Sequence, residues 1–412
     1  MSTDLLIINI KGLVQVRETT IDLVAGRDMD NLPVLENSYL HIQNGIIADY
    51  GTMDQVPAIA ASVIDASGRF VFPAFVDSHT HLVYAAPRDE EFLMKIKGAT
   101  YAEIAAKGGG ILNSAVKLRQ LTENELLERS LPRALEIMQT GTGAVEIKSG
   151  YGLTVKDEMK MLRVARRMGE MTPLTVRTTF LGAHAVPKEV TKEQYIRIIL
   201  EEMIPAIREE QLADYIDVFC EEGFFTPDET IRIAEAGMRA GMVPRIHANQ
   251  LHRSGGVQAG VQTGAISVDH LENVGEEEIQ VLKGSRTMPT ALPGAAFFLQ
   301  LPFPPGRKMI DEGLPLAIAS DFNPGSSPTG NMPLMMSLAC IRMRLTPAEA
   351  INACTINTAY ALGLLSTHGS ITRGKSADVF ITAPMPSINY LPYSFGSRLI
   401  EQTILKGKRV EY

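Results

Sequence analysis

The stretch Phe70–His81, FVFPAFVDSHTH, runs from an apolar segment into an acid and then into two histidines one residue apart. Successive side chains of an extended strand point to opposite faces, so His79 and His81 project the same way from its end. Two imidazoles presented like that can serve one metal ion. The H-x-H pattern alone is short enough to occur on ordinary surfaces. Its meaning depends on where the strand stands in the fold and on which residues recur downstream.

Read as one strand, Phe70–Asp77 is followed by further short apolar, β-rich runs of the kind that form buried parallel strands. They are Ala144–Lys148, Thr175–Leu181, Ile216–Cys220, Val243–Ile246, Ala265–Asp269, Arg286–Thr290 and Leu316–Ser320. Helices lie between them, marked by capping boxes at Thr122/Glu125, Thr191/Gln194, Thr226/Glu229 and Thr346/Glu349. Pro227 and Pro347 stand at the first helical position, and Gly141 and Gly241 where helical runs stop. Strands alternating with helices predict a parallel sheet, and eight such units predict an α/β fold, a (β/α)8 TIM-type barrel over residues 70–369. A Rossmann or flavodoxin-like sheet fits less well. No G-x-G-x-x-G follows the first strand, and Gly108-Gly109-Gly110 lacks the Lys-Ser/Thr of a phosphate loop, so it reads as a tight turn near the barrel mouth.

The two ends of the chain carry short alternating runs broken by turn residues such as Asn44-Gly45, Ser67-Gly68 and Lys406-Gly407. Neither end alone supplies enough strands for a stable sheet. One small β-sandwich built from residues 1–69 and 370–412 satisfies both. Apolar residues make up 45% of the 412, enough for a barrel core and this module. A net charge of −8 without a Lys/Arg cluster argues against nucleic acid or an anionic membrane as partner. The N-terminus lacks the basic start and apolar centre of a secretion signal, and no apolar stretch is long enough to span a bilayer. Cys220, Cys340 and Cys354 are too scattered for a disulfide framework and read as buried thiols. These features predict a cytoplasmic protein acting on a small molecule.

Barrel enzymes carry their chemistry where the strands end. The first strand ends in His79 and His81, the third runs into His184, the fifth into His247, the sixth into His270 and the eighth into Asp321. Five of the eight histidines and one acid thus fall at strand ends read from apolar pattern alone. His79, His81, His247 and Asp321 make a mononuclear site for a borderline metal, zinc or iron in preference to magnesium or calcium. Such a metal lowers the pKa of water to about 7, and Asp321 can take the water's proton and deliver it to a leaving nitrogen. His184 and His270 are free to polarise a carbonyl, orient the water or complete the metal shell.

The strings FVDSHTHLVYAAPRDEEF, KGGGILNSAVK, EIKSGYGL, TFLGAHAVP, RIHANQL, SVDHLE and ASDFNPGSSPTGNMPL span the barrel from end to end. The first resembles the amidohydrolase superfamily, and the longer set resembles its imidazolonepropionase family, with EIKSGYGL and GAHAVP the more specific blocks. The resemblance implies hydrolysis of 4-imidazolone-5-propanoate to N-formimidoyl-L-glutamate by attack of water on the ring amide carbon. It implies one Zn²⁺ or Fe³⁺ per subunit on His79, His81, His247 and Asp321, and a homodimer. It also implies a substrate pocket of Arg88, Tyr151, His184, Gln250, Asn323, Gly325 and Ser326. The chemistry of these residues agrees. Arg88 offers a guanidinium fork to the substrate's propionate, Tyr151 an O–H donor, and the turn at Asn323–Ser326 backbone N–H groups for an anion.

Some members of the family carry Glu where this chain has Gln250, and an amide cannot accept a proton near neutral pH. Proton transfer therefore falls to Asp321 with His270 as the second catalytic group, and Gln250 orients substrate. Two rival readings share the barrel. A deaminase of the same superfamily would use the same metal donors, but Arg88 and the Tyr151 loop favour a small anionic substrate. A non-catalytic scaffold would be expected to have lost metal ligands, and none is lost.

Overall fold

The computed structural model describes residues 4–58, 62–99, 103 and 109–411. The N-terminal strands are β1 Leu5–Val14, β2 Val34–Gln43, β3 Ile46–Thr52, β4 Ser62–Asp65 and β5 Phe70–Pro73. A parallel series follows: β6 Phe75–Asp77, β7 Thr142–Lys148, β8 Thr175–Ala183, β9 Tyr215–Cys220, β10 Val243–Ala248, β11 Ser267–His270, β12 Met288–Ala291 and β13 Ala317–Ile318. Three strands close the chain, β14 Val379–Thr382, β15 Ile400–Leu405 and β16 Lys408–Arg409.

Strands β6 to β13 pair in sequence order, each parallel to the next, as the barrel reading requires. The eighth strand is shorter than expected, two residues in place of Leu316–Ser320. The barrel nevertheless closes, through hydrogen bonds just beyond the strand ends. Asp321 N–H donates to the His79 carbonyl (3.0 Å) and His81 N–H to the Phe322 carbonyl (2.9 Å). Below them the Asp77 carboxylate accepts from Ser320 N–H (3.0 Å) and from its hydroxyl. The closing seam therefore runs through three of the proposed metal ligands and brings them together.

One expectation is corrected. Phe70–Asp77 is not a single strand but two, interrupted at Ala74. Phe70–Pro73 lies in the terminal sheet, between β1 and β14, and only Phe75–Asp77 joins the barrel. The apolar run is continuous because both halves are buried, so periodicity could not reveal the change of sheet. The terminal module takes strands from both ends in a mixed, continuously bonded sheet of order β16-β15-β14-β5-β1-β2-β3, with β4 on β1. Its core holds Leu5, Ile7, Ile10, Leu40, Val379 and Ile404.

All four capping boxes form as read, and Pro227 and Pro347 begin their helices. Gly141 and Gly241, each at φ 91°, follow the caps of Glu123–Gln139 and Pro227–Arg239, in the left-handed region where Cβ is disfavoured. Gly108 of the glycine triplet lies outside the described residues; Gly110 has φ 81° and caps the helix Ile111–Arg119. No helix among the described residues is long and apolar enough to cross a membrane.

Candidate metal centre and substrate cavity

Alternation along the strands turns a layer of charged residues into the barrel. Glu146 and Lys148 come from β7, Asp217 from β9, Arg245 from β10 and Asp269 from β11, all of them buried. Barrel interiors are ordinarily filled by branched apolar side chains. Here Lys148 Nζ donates to Glu146 (2.6 Å) and Asp217 (2.8 Å), and Arg245 Nη2 to Asp269 (3.1 Å) and the Ser78 carbonyl (2.7 Å). Burial pushes the Glu146 carboxyl up, against the pull of both cations. Asp217 is driven the other way: burial is overcome by His247 and Lys148, which hold its carboxyl well below the usual range.

Above this layer the carboxylates orient the histidines. Asp269 accepts from His79 Nδ1 (2.8 Å), and Asp217 from both His247 Nδ1 (2.8 Å) and its backbone N–H (3.0 Å). A carboxylate accepts only, so each ring holds its proton on Nδ1 and turns the Nε2 lone pair outward. Burial holds His79 and His81 well below the ordinary imidazole value, leaving both neutral near pH 7. His79 Nε2 and His81 Nε2 both lie 3.6 Å from Asp321 Oδ1. Two triads of donor atoms, His79/His81/Asp321 and His79/His247/His270, each fall within 4.8 Å and share His79. His79 Nε2 and His247 Nε2 are buried without a hydrogen-bond partner among the described residues. Unsatisfied lone pairs that converge beside a carboxylate are costly unless a cation takes them. The donor set fits a metal ion.

His270, the third donor of the second triad, has its ring 5.2 Å from that of His247 and Nδ1 3.4 Å from Glu272. It adopts φ 91°, and Leu153, Asn249, Leu271 and Asp321 are also at positive φ just past strand ends. Non-glycine residues rarely occupy that region, and such strain gathers where the surroundings over-determine the backbone.

A cavity of about 500 Å³ opens over the cluster. Arg88, Tyr151, His184, Gln250, Asn323, Gly325 and Ser326 all line it, with His81, His247, His270 and Asp321 at its floor. His184 Nδ1 donates to the Gly150 carbonyl (3.0 Å), which leaves Nε2 as an acceptor. The Tyr151 loop is held by Glu158, which accepts from Gly150, Gly152 and Leu153 N–H at 2.8–2.9 Å. Gln250 is fixed through its carbonyl by Asn273 Nδ2 (2.7 Å).

The turn after Asp321 differs from expectation. Its Gly325 and Ser326 N–H groups are not free for an anion, because both donate to Asn323 Oδ1 (2.7 and 2.8 Å). Asn323 Nδ2 in turn donates to the Asp321 carbonyl and Ser326 Oγ, both at 2.7 Å, and Ser326 Oγ stands 3.3 Å from Asp321 Oδ2. The Asn side chain has closed its own turn, a habit of Asn that competes with ligand binding. The turn steadies Asp321 instead.

Gly325 has a steric role. A Cβ there would fall 1.6 Å from Arg88 Nη2. Gly325→Ala is expected to displace the guanidinium, raising KM about ten- to a hundredfold, as for loss of a charged hydrogen bond, with kcat little changed. Steady-state kinetics check this; an unchanged KM would show that Arg88 does not need its present seat.

Sequence reading had not singled out Glu146, Lys148, Asp217, Arg245, Asp269 or Glu158. For the strand residues a signal was present: each is a charge embedded in an apolar β-run. Free thiols are as read for Cys220 and Cys354, both buried, while Cys340 is half-buried.

The amidohydrolase family model matches residues 70–410. A Flavobacterium johnsoniae protein named imidazolonepropionase is 53% identical over 406 residues, covering 98% of this chain and 99% of that protein. One of the same name from Christiangramia forsetii is 52% identical, covering 98% and 100%. Among solved structures, E. coli guanine deaminase superposes with a TM-score of 0.76 at 14% identity, covering 100% of this chain and 99% of that one, a likeness of fold. Family match and full-length identity point the same way: the chain belongs to the amidohydrolase family, in its imidazolonepropionase branch.

Proposed function

We propose that the chain hydrolyses 4-imidazolone-5-propanoate, opening the ring at its amide C–N bond to give N-formimidoyl-L-glutamate. The observation that carries this reading is one cavity with a convergent His/Asp donor set at its floor and the Arg88 guanidinium on its wall. The identity with relatives of that name supports it over deamination, and the intact donor set speaks against a scaffold.

His79, His81, His247 and Asp321 would hold one Zn²⁺ or Fe³⁺ ion. When bound, such an ion supplies Lewis acidity, polarising a carbonyl and acidifying water. The chain's own groups do the rest. Arg88 takes the propionate through its fork and so sets the ring over the floor. Tyr151 O–H donates to substrate oxygen, and the free Nε2 of His184 accepts from a ring N–H. Gln250 orients the ring by hydrogen bonds. Asp321 Oδ takes a proton from the attacking water as its oxygen adds to the amide carbon. It then returns that proton to the ring nitrogen as the C–N bond breaks. His270, beside Asp321, supports this transfer. We further take the protein to work in the cytoplasm as a homodimer, a reading supported by the family resemblance; a monomer by light scattering would contradict it.

Incubation with fresh imidazolone propanoate is expected to yield N-formimidoyl-L-glutamate far faster than spontaneous decay. No acceleration with metal present would overturn the assignment. Dialysis against a chelator is expected to abolish turnover and added Zn²⁺ or iron to restore it; stripped protein that kept full activity would exclude the metal site.

A further inference from the structure

Arg88 caps the helix Asp89–Ile96, and helical spacing puts Glu91 and Lys95 on the same side of it. All three line the substrate cavity. Glu91 stands 3.8 Å from Arg88 Nη1 and also accepts from Gly110 N–H (2.9 Å). Among the described residues that line this wall, two cations face one carboxylate. Asp89 and Glu90, the other acids of the helix, are exposed.

Lys95 and Arg88 converge on one residue. Lys95 Nζ donates to the Gly325 carbonyl at 3.3 Å, while the guanidinium of Arg88 occupies the space where Gly325 has no side chain. Lys95 is half-buried, its ammonium 5.8 Å from the Phe298 ring centroid, and Phe298 also lines the cavity. Arg88 Nε is buried and has no hydrogen-bond partner among the described residues. The wall therefore holds an unsatisfied donor of one cation and, beside it, a second cation resting on a neutral carbonyl.

We propose that Lys95 is the second cation of the carboxylate subsite, joining Arg88 beside Gly325 to close on the substrate's propionate and selecting for an anionic tail. The inference rests on the proposed function, in which Arg88 receives that carboxylate. The ammonium exchanges a neutral acceptor, the Gly325 carbonyl, for a charged one, adding the attraction of an opposite charge to a donor that is already ionised. Lys95 is a specificity-determining residue. It touches the tail and takes no part in proton transfer.

The test compares Lys95→Met, Lys95→Arg and Arg88→Met in the metal-loaded enzyme. It uses steady-state kinetics, and inhibition constants for 3-(imidazol-4-yl)propanoate and its neutral amide. For Lys95→Met, KM is expected to rise about tenfold with kcat within about twofold, as for loss of a charge-assisted hydrogen bond, and the preference for acid over amide to shrink equally. Lys95→Arg should restore most of both. If Lys95→Met keeps the wild-type KM and acid preference while Arg88→Met loses them, Lys95 has no such role and the carboxylate subsite stands. A fall in kcat alone would likewise overturn the proposal, assigning Lys95 to helix placement. If neither Met variant alters the acid preference, the placement of the carboxylate at Arg88 fails with it.

Discussion

Replacing Asp321 with Asn is expected to cut turnover between about a hundred- and ten-thousandfold, the span over which positioned proton transfer contributes. The side chain keeps its shape and can still accept from Ser326 Oγ, but it can no longer take a proton usefully. Gln250 cannot substitute, being an amide itself. Metal content must be measured with the rate, because Asp321 Oδ1 lies 3.6 Å from both His79 and His81 Nε2 and belongs to the donor set. Near-normal turnover in a metal-replete variant would show that proton transfer runs through another group, and His270 would be the next to replace.

Lys148→Met is expected to be the most destabilising single change in the barrel interior. Removing one partner of a buried ion pair strands the other and costs about 3–5 kcal/mol. Lys148 is bonded to two carboxylates, Glu146 and Asp217, and approaches Asp269 at 3.9 Å. The loss should appear as a thermal midpoint lower by many degrees and as faster release of metal, since Asp217 orients His247. The double variant Glu146→Gln/Lys148→Met removes one charge of each sign and is expected to recover part of the stability. A single variant as stable as the parent would show that the network is not held by this ammonium.

Much of the barrel was legible because its strands are buried on both faces and separated by strongly marked helix starts. Thr226 with Glu229 and Pro227, for instance, fixes a helix end by local hydrogen bonding alone. The histidines at the strand ends were legible for a related reason: chain position and strand direction together put His184, His247 and His270 at one mouth. What could not be read was lateral. Nothing local in Asp217 states that it faces His247, or in Asp269 that it faces His79; those pairings arise from strand register across the barrel. The turn at Asn323 was misread for the opposite reason, since its N–H groups are spent within three residues. Arg88 and Lys95 needed the seat at Gly325 before their convergence was visible.

The interruption at Ala74 reaches into how the molecule is made. β5 is clamped between β1, which precedes it in the chain, and β14, which lies far downstream. One residue later the chain enters β6 and then His79. While the chain is being made, the strand that leads into β6 and His79 has one edge unpaired until residues 379–381 are available. Contacts so distant along the chain close late and slowly. The run-in to His79 is thereby completed only by a strand from far downstream, and a chain cut before β14 is expected to hold that segment less firmly.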